Sequence, residues 1–214
     1  MKKIRVLNLY ACLGGNRYKW DEVADIEVTA IELDEELAKL YQERFPNDIV
    51  IVADAHQYLL NHYKEFDFIW SSPPCPSHSK ARFAHTGAKP IYPDLKLYEE
   101  IIFLKHYYKH GKYVVENVIP FYEPLIPGTT RGRHIYWTNF YIPPEFGRKS
   151  PNMQDKGDMA RWCKYHEYDF YKYKGNQRTQ KIARNLVDFE AGKTIFECAN
   201  NIFKKLNIKQ LDLF

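Results

Sequence analysis

Apolar runs of strand length alternate along the chain with stretches whose apolar positions recur every three or four residues. Ile4–Leu9, Ile26–Glu32 and Ile49–Val52, then residues 66–70 and 113–116, have the near-continuous apolar character of strands covered on both faces. Helical patterns separate them. Asp34 is placed to cap a helix that Pro46 ends, and a second helix follows over residues 55–63. A third spans 95–109, with apolar positions 97, 98, 101, 102, 104 and 108, and Gly111 stops it. A helix is also expected after the first strand, beyond the turn at residues 12–15. This alternation predicts an α/β fold on a doubly wound, mostly parallel sheet. Residues 133–138, with 139–142, read as a further strand or hairpin. Residues 77–93 form a long polar loop, 143–180 are loop-rich and aromatic, and 192–206 have the pattern of a final helix.

A chain of 214 residues suits one such domain with a small lobe attached, and its 45% apolar content excludes wholesale disorder. The expected division is a sheet-bearing domain at 1–142, a basic aromatic lobe at 143–184, and a segment at 185–214 that returns to the first domain. The net charge of +4 is too small to demand an acidic partner, but it is unevenly spread. Residues 145–184 hold ten Lys/Arg against five acids, so that stretch is +5 and the remainder −1. Trp162, Tyr165, Tyr168, Phe170, Tyr171 and Tyr173 interleave with those charges. The four cysteines, at 12, 75, 163 and 198, are too scattered for a disulfide framework. The start runs straight into a strand without an apolar signal region, and no run has membrane-spanning length. A reducing cytoplasm and no membrane partner are therefore expected.

The most informative segment is Ser71-Ser72-Pro73-Pro74-Cys75-Pro76-Ser77-His78-Ser79. Two prolines cannot continue a ladder, so the chain leaves the sheet there and presents Cys75 at a strand's carboxyl end, where open α/β sheets bind ligands. Cys75 is a candidate nucleophile, though a small cysteine packed in a proline-rich loop would give the same pattern. Glu116-Asn117-Val118 ends another apolar strand, with Glu116 lying 41 residues after Cys75. A glutamate there without a purpose would be costly to bury. Asn8-Leu9-Tyr10-Ala11-Cys12-Leu13-Gly14-Gly15 closes the first strand, and Glu32 and Asp54 end the second and third. Glu32 can also be a surface acid and Asp54 a helix N-cap, a role compatible with ligand binding. No Walker lysine motif points to a nucleoside triphosphate.

These motifs, in this order and followed by Arg131-x-Arg133, resemble the cytosine-5 methyltransferases of DNA. The likeness is strong over residues 4–138 and weak beyond. It implies S-adenosylmethionine as cofactor. Tyr10, Cys12, Leu13, Gly14 and Gly15 would meet its amino-acid part, Glu32 its ribose, and Leu33, Asp54 and Ala55 its adenine. Pro74, Asn185 and Val187 would complete the pocket, the last two through Arg184-Asn185-Leu186-Val187, which loosely matches the family's last motif. Cys75 would attack carbon 6 of cytosine, and Glu116, held protonated by burial, would serve ring nitrogen 3. Arg133, with Arg131, would hold oxygen 2, while Asn117 would brace the loop. Lys80, Arg82 and Arg133 are the expected positive neighbours of the thiol. Ser79 matches a serine of the family's mobile catalytic loop. Five positions depart from the pattern: Cys12 stands where the family has Gly, Pro76 and Thr129 where it has Gln, and Asp188 and Phe189 where its last motif has two prolines.

The resemblance further implies double-stranded DNA as partner, a flipped base, and a compact phage- or bacterial-like member whose recognition region is reduced to the basic lobe. Restriction–modification, phage protection and orphan modification are all compatible roles. Rival readings exist. Cys75-x-x-His78 with Cys163-x-x-His166 could bind zinc, although no metal is expected. Zinc deaminases need His-x-Glu, which no histidine here provides. An amine-directed DNA methyltransferase or a catalytically inactive DNA-binding relative are the remaining alternatives.

Overall fold

The computed structural model describes residues 3–84, 89–151 and 159–202. Seven strands form one sheet: β1 (Ile4–Leu9), β2 (Ile26–Glu32), β3 (Ile49–Val52), β4 (Phe68–Ser71), β5 (Lys112–Val118), β6 (Thr129–Arg131) and β7 (His134–Thr138). Their order is β3-β2-β1-β4-β5-β7-β6. The first five are parallel, and β7 runs antiparallel to both β5 and β6. The order reverses between β1 and β4, where Leu9 lies opposite Ser71. Loops leaving those two strands diverge, so a crevice opens at their carboxyl ends.

Strand parity sorts side chains into two cores. Leu7, Leu9, Ile69, Tyr113 and Val115 face α2 (Ala55–His62) and α3 (Lys96–Tyr107) through Leu59, Leu97, Ile101 and Leu104. Val6, Val28, Phe68, Trp70 and Val114 face Trp20 and α6 (Phe189–Ala199), through Ile195 and Phe196. Burial on both faces is why these strands read as apolar runs without alternation. Asp34 caps α1 (Glu35–Arg44) by accepting from the Glu36 and Leu37 amides. Asp54 caps α2 through the Gln57 amide.

Several elements depart from the sequence pattern. No helix follows β1; residues 10–19 are turns leading to one 3₁₀ turn at Trp20–Glu22. The layer over β1 is taken instead by α6, whose Gly192 lies so close that a Cβ would sit 2.2 Å from the Asn16 carbonyl oxygen. Residues 139–142 are not a strand. The Asn139 side chain accepts from the Tyr113 amide and donates to the Gly111 carbonyl, replacing ladder bonds, and two prolines follow. The basic segment is more helical than expected, with α4 (Met159–His166) and α5 (Thr179–Asn185). The last helix starts three residues early because Asp188 caps it through the Ala191 amide, and it ends at Ala199. Residues 203–206, assigned to that helix from sequence, lie outside the described residues, as do Lys156, Asp155 and Asp158 of the basic segment. Among the described residues, no helix is long and apolar enough to cross a membrane.

Candidate active site

One cleft of about 1420 Å³ runs along the carboxyl ends of β3, β2, β1, β4 and β5 and the amino end of the antiparallel β7. Its walls include Glu32, Leu33, Asp54 and Ala55 towards β2 and β3, and Cys75, Glu116, Asn117, Arg133 and His134 towards β5 and β7. Tyr10, Cys12, Pro74, Asn185 and Val187 also line it. Residues far apart in sequence thus reach one cavity, most of them because they sit where a parallel strand ends, with Arg133 and His134 joining from the start of β7 and Asn185 and Val187 from the end of α5 and the turn after it.

At the β2 end, Glu32 accepts from the backbone amides of Cys12 and Asp34, at 2.8 and 2.9 Å. Burial raises the pKa of its carboxyl, against the lowering effect of those amides. Leu33 is 69% exposed, an apolar side chain open to the cleft. Cys12 has φ 48°, in the left-handed region that favours glycine, so a glycine at this position would relieve roughly 1–2 kcal/mol of backbone strain. Burial, and then the nearby Glu32, push the Cys12 thiol pKa up.

Leu13, Gly14 and Gly15 do not line the cleft; all three are buried beneath it. Leu13 packs with Leu37, Leu40, Trp162 and Ile182. A Cβ on Gly14 would meet the Tyr41 and Phe45 rings, and one on Gly15 would sit 2.3 Å from the Val187 carbonyl oxygen. These glycines admit close packing of protein on protein.

At the other end the proline turn is pinned from β5. Asn117 Nδ2 donates to the Pro73 carbonyl at 2.9 Å, so this side chain braces the loop that holds Cys75. Glu116 is 6% exposed. Its Oε2 accepts from Ser72 Oγ at 2.9 Å, and its Oε1 lies 3.5 Å from His134 Nε2. Arg133 donates to the Arg184 carbonyl at 2.9 Å and tethers β7 to α5. Arg131 is turned away from the cleft, because its guanidinium donates to the Thr130, Ile142 and Pro143 carbonyls. Arg82 likewise lies off the cleft and donates to the Lys89 carbonyl.

Cys75 is partly buried. Burial raises its pKa, the charge of Glu116 raises it further, and Lys181 and Arg133 oppose both. The expectation of a lowered pKa does not hold: desolvation outweighs two cations. Lys181 was missed as a neighbour because it lies 106 residues away in sequence. The basic segment's aromatics are mostly core, with Trp162, Phe170 and Tyr173 buried against α1 and Leu13. Its cations are not: Lys172, Lys174, Arg178 and Lys181 are exposed, and the last two edge the cleft.

Behind the cleft lies a group that sequence reading passed over. Glu100 on α3 is 1% exposed and accepts from Tyr10 Oη at 2.6 Å, Ser71 Oγ at 2.5 Å and His56 Nδ1 at 3.0 Å. The available signal was an acid lying within the apolar stripe of Leu97, Ile101 and Leu104. Among the described residues no group of His, Cys, Asp or Glu is arranged to hold a metal ion, and the two Cys-x-x-His pairs do not converge.

The family model for C-5 cytosine-specific DNA methylase matches residues 4–118. The chain belongs to this family. S-adenosylmethionine is the family's cofactor, and the mixed α/β sheet described above is the family's kind of fold. Solved structures similar to the chain include a mutant of DNMT2 from Spodoptera frugiperda, with 23% identity over 54% of this chain and 36% of that one, TM-score 0.41. A putative DNA modification methyltransferase encoded within an Escherichia coli prophage shows 18% identity over 56% of this chain and 34% of that one, TM-score 0.39. The Entamoeba histolytica methyltransferase EhMeth shows 14% identity over 70% and 58%, TM-score 0.41. The chain spans about a third of the length of the first two. Comparison with curated proteins finds no match.

Proposed function

We propose that this chain transfers a methyl group from S-adenosylmethionine to carbon 5 of cytosine in double-stranded DNA, through a covalent adduct between Cys75 and a flipped base. The observation that carries the reading is that Cys75, Glu116 and Arg133 share one cleft with Glu32, Leu33 and Asp54. The second set fits an adenosyl group: a partly buried carboxylate for two ribose hydroxyls, an exposed leucine for one face of the adenine, and Asp54 for its amine. When bound, the cofactor supplies an electrophilic methyl group. The chain's residues make carbon 5 able to accept it. The Cys75 thiol gives its proton to solvent and its sulfur bonds to carbon 6, the ring's electron pair moves towards nitrogen 3, and Glu116 gives that nitrogen a proton. Arg133, which lines the same cleft, would bind the ring's oxygen 2.

The exposed cations Lys172, Lys174, Arg178 and Lys181 are where phosphates would bind, with residues 143–184 serving as a small recognition lobe and 185–214 returning to the domain formed by 1–142. DNA containing 5-fluorocytosine tests the mechanism, because fluorine cannot leave as a cation and the adduct persists. With S-adenosylmethionine, the protein should give a denaturant-resistant complex. Cys75→Ser should give none, and Glu116→Gln should form it slowly or not at all. Methylation without trapping, or full activity of Cys75→Ser, would instead favour an amine-directed enzyme. Neither S-adenosylmethionine binding nor methylation would leave a DNA-binding relative.

A further inference from the structure

The two carboxylate oxygens of Glu116 are covered by different neighbours. Ser72, from the turn that carries Cys75, holds Oε2; His134, from β7, stands at Oε1 with its Nε2 3.5 Å away. His134 lies outside the stretch matched to the family and was not singled out by any sequence motif. It lines the cleft beside Arg133, and its side chain is mostly shielded from solvent.

The groups around it are few. Glu116 faces it from β5, and Arg133 adjoins it on β7. Arg131 pairs opposite on β6, with its guanidinium engaged by backbone carbonyls, and the Tyr136 ring lies 6.3 Å away edge-on. Cys75 and Lys181 lie beyond Glu116. Burial holds the imidazole pKa below its ordinary value, Arg133 adds to that, and Glu116 pulls the other way. A neutral imidazole offers a lone pair, and that lone pair favours a carboxyl that carries a proton over one that does not.

We propose that His134 is the positioning partner of Glu116: the pair keeps one proton between Oε1 and Nε2, and this is the proton that nitrogen 3 of the base receives. The inference rests on the methyltransferase reading and adds a residue to it. The steps balance without any methyl donor. The Cys75 thiol gives its proton to solvent and its sulfur bonds to carbon 6. The ring electron pair moves to nitrogen 3, which takes the proton held by the pair. Carbon 5 then takes a proton from solvent and loses its original hydrogen. The sulfur leaves with its bonding electrons, and nitrogen 3 returns the proton to the pair. The net result is exchange of the hydrogen on carbon 5.

That exchange provides the test. DNA carrying tritium at carbon 5 of cytosine is incubated with the protein alone, without S-adenosylmethionine, between about pH 6 and 9, and release is followed for wild type and His134→Gln. At the acid end protons from solvent are most plentiful, so the two rates should converge. Towards the alkaline end the variant should fall about tenfold below wild type, the low end of what general acid catalysis contributes. DNA affinity and melting temperature should be unchanged; if the glutamine variant melts early, His134→Asn gives the same readout. Profiles that superimpose, or a loss equal at every pH, would overturn the role of His134 while leaving the methyltransferase reading intact. If wild type itself releases no tritium and traps no 5-fluorocytosine adduct, that reading fails and this inference falls with it.

Discussion

Glu100→Gln is the substitution that most directly probes how the cleft is held open. Glu100 has no solvent to fall back on, and three donors from three elements converge on it: Tyr10 after β1, Ser71 ending β4, and His56 on α2. Hydrogen bonds to a charged group contribute about 1.5–3 kcal/mol each, and neutral ones about 0.5–1.5. The amide keeps one acceptor, loses the charge, and turns its other end into a donor. Ser71 can rotate its hydroxyl to accept, so one bond is remade and two are weakened. A loss of about 3 kcal/mol follows. For a chain of this size that is about 6–12 °C in melting temperature.

The pH dependence is more diagnostic. Glu100 raises the His56 pKa through their hydrogen bond, against partial desolvation. Stability from this pair is therefore fully present below the unfolded histidine pKa, near 6.5, and is lost as pH rises through the higher folded value. Urea denaturation followed by tryptophan fluorescence should show a larger penalty for Glu100→Gln at pH 6 than at pH 8.5. The variant should also bind S-adenosylmethionine more weakly, because Tyr10 is a wall of the cleft. A penalty below about 1 kcal/mol at pH 6, or one independent of pH, would refute this account of the network.

Three further outcomes are expected. Glu32→Ala should weaken S-adenosylmethionine binding by roughly 1.5–3 kcal/mol in calorimetry, the usual cost of removing a charged hydrogen-bond acceptor; unchanged affinity removes Glu32 from the pocket. Neutralising Lys172, Lys174, Arg178 and Lys181 together should weaken DNA binding and flatten its dependence on salt, and an unaltered slope places the DNA surface elsewhere. Alkylation of Cys75 should be slow at neutral pH and should quicken with rising pH, since its thiol pKa lies above the ordinary value.

Much of the architecture could be read before any coordinates. β1, β2 and β3 have the bounds that the apolar runs predicted, and Asp34 and Asp54 cap the helices they were expected to cap. Local chemistry explains this, because a doubly covered strand must be apolar throughout and an N-cap must accept backbone amides. The motif order likewise brought Cys75 and Glu116 to one cleft, since every parallel strand delivers its carboxyl end to the same edge of the sheet, and Arg133 joins them at the start of the antiparallel β7.

What depended on tertiary structure is of another kind. The turns after β1 replace an expected helix because α6, from the far end of the chain, fills the layer above. Gly14 and Gly15 lie against Tyr41, Phe45 and Val187, and nothing in the turn's own sequence names those partners. Arg131 and Arg133 stand two residues apart, yet only Arg133 reaches the cleft, because the carbonyls of 142 and 143 capture the other. The pKa direction of Cys75 and the convergence of Tyr10, His56, Ser71 and Glu100 are sums over residues 15 to 106 positions apart in sequence. Strand period and capping act over a few neighbouring residues, and so they are written locally. Desolvation and charge depend on what the whole fold brings near, and only the folded chain decides them.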